Sequence, residues 1–220
     1  MSKFFASPVL RRSLQLWFII IGHIFATTFL RDLGKGLDQI DDAQVKELGL
    51  LLKDGFTSYS HWVLPPGLAL IAFIQIQLIR NKPVQWGIDI FGVLLGVRCA
   101  GQFVMLNLLL LSHLKAGGML LLQLILYIPV ITIFFGWLYW RIDSGARAKG
   151  KTHIKFSSEM GDLDPFDYFH ISAMTLLQFE QSGASATSRL MKTLFVIHGV
   201  MMLDLVALTL SRAIGLASGG

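Results

Sequence analysis

The stretch TLLQFEQSG, residues 175 to 183, gathers Thr175, Gln178, Glu180 and Gln181 in a chain that is otherwise strongly apolar. Carboxylate, amide and hydroxyl oxygens are what small hard cations take in place of water, and rings of carboxylates select cations. Glu180 is therefore the leading candidate for a cation-contacting group, with Gln178, Gln181 and Thr175 as further oxygens. The competing reading of Glu180 is a solvated residue at the end of an interfacial helix.

Two ionisable groups lie deep in apolar runs, Arg98 in the third and Asp204 in the last. An isolated charge at that depth costs at least about 2.5 to 3.5 kcal/mol on insertion scales. An intramembrane Arg98–Asp204 ion pair is the simplest way to offset it. Asp89 falls nearer a membrane surface. A single arginine makes no voltage sensor, which needs basic residues repeated along one helix. His23 and His198 also fall within apolar runs, at similar depths, so a b-type cytochrome with two histidine ligands is a rival class. A membrane enzyme is another, although no metal-ligand cluster, phosphate loop or Ser/His/Asp arrangement marks the chain. The chain is not expected to be an enzyme or to carry a cofactor or metal.

The elements that must position these groups follow from composition. Of the 220 residues 54% are hydrophobic and only 15% charged, which places the chain among integral membrane proteins. The net charge of +5 is read as loop topology rather than as nucleic-acid binding. The lone Cys99 is a packing residue, and the basic, apolar N-terminus reads as a retained first helix. At roughly 20 residues per span, the pattern gives spans at 13–30, 61–79, 86–111, 119–140 and 190–216. Pro65 and Pro66 fall in the first turn of the second. Val45, Leu48, Leu51 and Leu52 recur at helical spacing after a cap at Asp41 or Asp42, so a short interfacial helix precedes that span.

The segment DPFDYFHISAMTLLQ is different. Asp164 suits an N-cap and Pro165 the first helical position, so a helix runs from there to about Gln178. At about 1.5 Å per residue it reaches roughly 20 Å, short of a hydrocarbon core of about 30 Å. A helix that enters without crossing must be followed by backbone returning to the same surface, tolerated only where protein or water covers it. The small, polar EQSGASATS has the composition for that return. The fold class is thus an all-α integral membrane protein: five transmembrane helices, one re-entrant half-helix and a short interfacial helix. One domain covers 1–220, with a three-helix N-terminal part (13–112) and a second part (117–216).

Span, polar loop, half-helix, short return and span is also the layout of a known module. From about Leu120 to Leu216, on FFGWLYWRIDSG, FDYFHISAMTL and LMKTLFVIHGVMMLDLVALTLSRAIGLA, the chain resembles the two-helix pore of the potassium-channel superfamily. Where that family carries a TVGYG-like filter, this chain has LLQFEQSG and no glycine pair. MTLLQFEQSG is loosely similar to sodium- and calcium-selective pores in which a TLE-type glutamate ends the pore helix, with Glu180 falling several positions later. The outer-helix ending YWRIDSG, together with DYFHISAMTLLQF and TSRLMKTL, is also similar to uncharacterised bacterial membrane proteins with YWELDRGG endings. The resemblance implies a homo-tetramer in a lipid bilayer, passively conducting small cations around Glu180, with a bacterial inner membrane as its place. It equally leaves room for a channel fold that does not conduct.

Overall fold

A computed structural model of the chain describes residues 8–37, 43–80, 84–111, 117–156, 163–178 and 183–217. Its elements are α1 (Pro8–Leu37), α2 (Ala43–Ile79), α3 (Gln85–Leu111), α4 (Gly117–Arg147), β1 (Ile154–Phe156), α5 (Pro165–Gln178), β2 (Ala184–Ala186) and α6 (Arg189–Ala217). Among the described residues three stretches are long and apolar enough to cross a membrane: Gln85–Asn107, Gln123–Arg147 and Arg189–Ser211. The chain is mostly helical, and these three helices are compatible with a membrane protein.

α4 is the centre, packing against α1, α3, α5 and α6. Its residues Leu124, Tyr127, Val130, Ile131, Ile133, Phe135 and Tyr139 are buried on every side of the helix, the pattern of a core helix rather than of one with a single apolar stripe. Of its span 61% is buried against the rest of the chain, whereas only 17% of the α6 span is. Close approach depends on small residues, as it does between membrane helices generally. Gly92 of α3 lies flat against the Trp137 indole, and any β-carbon there would enter the ring.

Side-chain bonds fix which helix ends share a level. Ser13 near the start of α1 bonds to Gln75 near the end of α2 (3.3 Å), and Asp89 near the start of α3 takes a 2.7 Å bond from Arg141 near the end of α4. α6 starts directly after β2. One end of the bundle therefore carries Arg12, Arg80, Arg141, Arg147, Lys149, Lys151, Lys155, Arg189 and Lys192. Exposed Trp17, Trp86 and Phe166 lie near the same end, as aromatic residues do at membrane surfaces.

Three expectations need correction. The separate interfacial helix and second span are one helix, α2, of 37 residues. The helix runs on through Gly55, which costs about 1 kcal/mol in a helix, and through Pro65–Pro66, which delete hydrogen bonds. Leu48 and Leu51 on its first part stay exposed. The fourth span continues past Trp140 to Arg147 because Asp143 and Arg147 pair at i,i+4 (2.6 Å). It ends in a Schellman closure, where Lys151 N–H reaches Ala146 O, Gly150 N–H reaches Arg147 O, and Gly150 takes the left-handed conformation (φ 70°). Finally, β1 and β2 pair antiparallel, Ile154 opposite Ala186 and Phe156 opposite Ala184, although three-residue strands inside polar loops leave no alternation to read.

Candidate functional site

The site is built on α5, whose start is set by a reciprocal cap. Asp164 Oδ1 accepts from Phe166 N (2.8 Å) and Asp167 N (3.3 Å), while Asp167 Oδ2 accepts from Asp164 N (2.8 Å). This is a capping box with aspartate in the third position, and Pro165 fills the first helical turn at no hydrogen-bond cost. α5 then runs antiparallel to α4. Tyr168 meets Asp143, Phe169 lies over Gly136, and Ser172 Oγ donates to Thr132 O (2.8 Å). The eleven residues from Asp143 back to Thr132 measure about 16 Å along α4, so the tip of α5 lies well away from the basic end.

The loops around α5 are held by one carboxylate. Asp143 is fully buried and accepts four bonds: from Arg147 Nε (2.6 Å), His153 N (2.7 Å), Ile154 N (2.9 Å) and the Tyr168 hydroxyl (2.7 Å). Arg147 also donates to Ile154 O (2.7 Å). Burial, and then the bond to Asp143, push the Tyr168 hydroxyl above its ordinary pKa, so it stays a donor. Thr187 extends the ladder, its N–H on His153 O and its hydroxyl on Thr152 O. A single anion thus joins the end of α4, strand β1 and the root of α5. Sequence reading passed over Asp143, Arg147 and Tyr168. The i,i+4 pair within RIDSGAR was the available signal.

No protein-family model, curated protein or solved structure matches the chain. Function has to be read from the side chains themselves.

Of the expected cation-contacting oxygens, Thr175 is buried and donates to Ile171 O (3.0 Å) within its own helix. Gln178 is the last residue of α5. Glu180 and Gln181 lie outside the described residues, as does the Gln178 side chain.

Among the described contacts, Arg98 and Asp204 take different partners. Arg98 Nη2 donates to Thr27 (2.9 Å) and Nη1 lies 3.3 Å from His23 Nδ1, both on α1, whereas Asp204 Oδ2 takes a 3.0 Å bond from Asn107. Asn107 is nine residues beyond Arg98, about 13 Å along α3, so the two charges sit at different levels on different sides of that helix. Thermal stability in detergent of R98L, D204L and the double variant should therefore show losses that add to within about 0.5 kcal/mol. A double variant much better than the sum would restore the pair.

The histidines do not face each other. His23 Nε2 donates to Phe91 O (3.0 Å), which leaves Nδ1 to accept from Arg98 at the α1–α3 seam. His198 belongs to the α4–α6 contact, where its ring stacks on Phe135 (centroids 4.0 Å apart) and Nδ1 shares a 2.9 Å bond with the Tyr139 hydroxyl. A haem held between these two rings is not supported by that placement.

Proposed function

We propose that the chain is a membrane protein of five spans in which α5 enters the bilayer from the basic end without crossing it, and that α4, α5 and α6 form a channel-like pore conducting small cations. The pairing of β1 with β2 carries the reading. The segment leading into α5 and the segment leading out of it run side by side, so the chain enters and leaves at one level. α5 lies antiparallel to α4 and has 14 residues, about 21 Å, too short for a core of about 30 Å. Its C-terminal end carries the negative pole of the helix, and Glu180 follows within two residues. Dipole and carboxylate of one sign at one place attract cations and repel anions. α6, with little of its surface buried within the chain, has faces left for lipid and for other copies, as an inner helix of a tetramer would.

Glu180→Gln should reduce cation-over-anion preference while leaving the fold intact, since the side chains are nearly equal in size. Reversal potentials under a salt gradient in planar bilayers measure it. Unchanged selectivity would remove Glu180 from the pore. A second reading, a channel fold that does not conduct, is favoured by the absence of a glycine pair in LLQFEQSG, and a wild type silent under every voltage and ion condition would select it.

Orientation follows from the charges. The basic end should face the cytoplasm, which inverts the pore relative to potassium channels. Lys149 is exposed at that end and the only native cysteine is buried. Lys149→Cys should resist an impermeant thiol reagent in intact cells and react in inverted membranes. Labelling from outside would reverse the assignment.

A further inference from the structure

Five exposed cations gather where the β1–β2 ribbon meets the start of α6. In β1 Ile154 is buried while Lys155, opposite Ser185 of β2, points outward. Thr187 N–H bonds to His153 O and its hydroxyl to Thr152 O, which brings Lys151 to the first turn of α6, where Arg189 stands. Lys192 follows three residues on, over the same side of the helix. Lys149 sits on the turn between α4 and β1. The ion pairs described at this end are Arg141 with Asp89 and Arg147 with Asp143, and none of the five cations has a carboxylate partner among the described residues.

Intrachain electrostatics disfavour this placement. The N-terminal pole of a helix carries partial positive charge, so cations belong at the other end. α6 nevertheless has no acidic residue in its first turn, which holds Arg189 and Lys192. Lys151 brings a third like charge from across the ribbon, and like charges facing one another across strands are destabilising. An anion lying over the patch is attracted by the helix pole and by all five side chains.

Position identifies the anion. Arg189 opens the stretch Arg189–Ser211, long and apolar enough to cross a membrane, and exposed Leu190 follows at once. The cations therefore occupy the border between a charged surface and an apolar helix, which is the level of lipid phosphates. They are carried by a turn, a strand and a helix rather than by one phosphate-cradling loop, an arrangement suited to several phosphates in a plane. We infer that Lys149, Lys151, Lys155, Arg189 and Lys192 form a binding surface for the head groups of anionic phospholipids in the adjacent leaflet. It takes from the proposed function only that α6 spans the bilayer, and it stands whether or not the pore conducts.

Electron spin resonance of spin-labelled phosphatidylglycerol and phosphatidylcholine, in membranes reconstituted with the full chain, tests it. The wild type should associate with phosphatidylglycerol at least about threefold more strongly, and raised salt should narrow the gap. Lys151→Gln/Lys155→Gln and Arg189→Gln/Lys192→Gln should each remove most of that preference. Lys46→Gln/Lys53→Gln, in the part of α2 remote from the basic end, should leave it intact. Equal association of the two lipids with the wild type, or a preference unchanged in both patch variants, would overturn the surface. Displacement of phosphatidylglycerol by inorganic phosphate at matched ionic strength would show a site for free anions and overturn the assignment to lipid.

Discussion

Asp143→Ala is expected to lower stability by about 3 to 5 kcal/mol: the carboxylate is fully buried although its Arg147 partner is 37% exposed, and each buried donor left unsatisfied costs about 1 to 3 kcal/mol. Four donors lose their acceptor at once: the Arg147 guanidinium, two backbone N–H groups and the Tyr168 hydroxyl. Tyr168→Phe removes only one bond to a charged group and should cost about 1.5 to 3 kcal/mol. Asp143→Asn should fall between, because an amide keeps one oxygen for the strand but offers the other donors an NH₂. Thermal unfolding in detergent gives the order, and trypsin cleavage after Lys149, Lys151 or Lys155 should accelerate in the same order as β1 comes loose. If Asp143→Ala and Tyr168→Phe were equally mild, the carboxylate would not be the joint it is taken to be.

Gly136→Val is the second large effect, and it acts on placement rather than on charge. A β-carbon at Gly136 would stand 3.0 Å from the Phe169 α-carbon. The obstacle is backbone, which cannot rotate aside, so α5 as a whole must move. Overpacking of this kind costs about 1 to 3 kcal/mol, and trimming Phe169 to alanine should give no relief. Gly145→Ala is the control: a β-carbon there meets only the far end of the Arg141 side chain at 3.7 Å. It should stabilise by up to about 1 kcal/mol through helix propensity. Under the pore reading, Gly136→Val should also abolish conduction at expression levels where Gly145→Ala conducts normally. Equal behaviour of the two variants would mean that α5 does not depend on contact with α4.

Local chemistry was legible in the sequence wherever a residue acts on its immediate neighbours. Asp164 and Pro165 announced the start of α5 because a cap is satisfied within three residues, and the structure puts both where they were read. Long apolar runs gave the three stretches that can cross a membrane. What could not be read was anything decided across the chain. Arg98 and Asp204 were matched by sign and rough depth, but the face each presents depends on how α1 and α6 pack on α3, and those faces differ. Asp143 looked like a loop residue because its partners lie ten and twenty-five residues onward. β1 and β2 exist only as each other's partner. The join across Gly55 and Pro65–Pro66 is not legible because glycine and proline are the residues that ordinarily end a helix.

The strand pair also sets an order of events during synthesis. Twenty-eight residues separate Phe156 from Ala184, and at a bacterial or eukaryotic elongation rate of about 5 to 20 residues per second the second strand emerges roughly 1.5 to 6 s after the first. α5 is made within that interval and ends six residues before β2 begins, so its cap and its Tyr168–Asp143 bond precede the partner strand that closes its loop. Bringing the loop ends together later carries a cost that grows only slowly with its length, and that cost falls after α4 is already in place. The last helix therefore emerges only after β2, the strand that fastens the short helix, is already available to pair with β1.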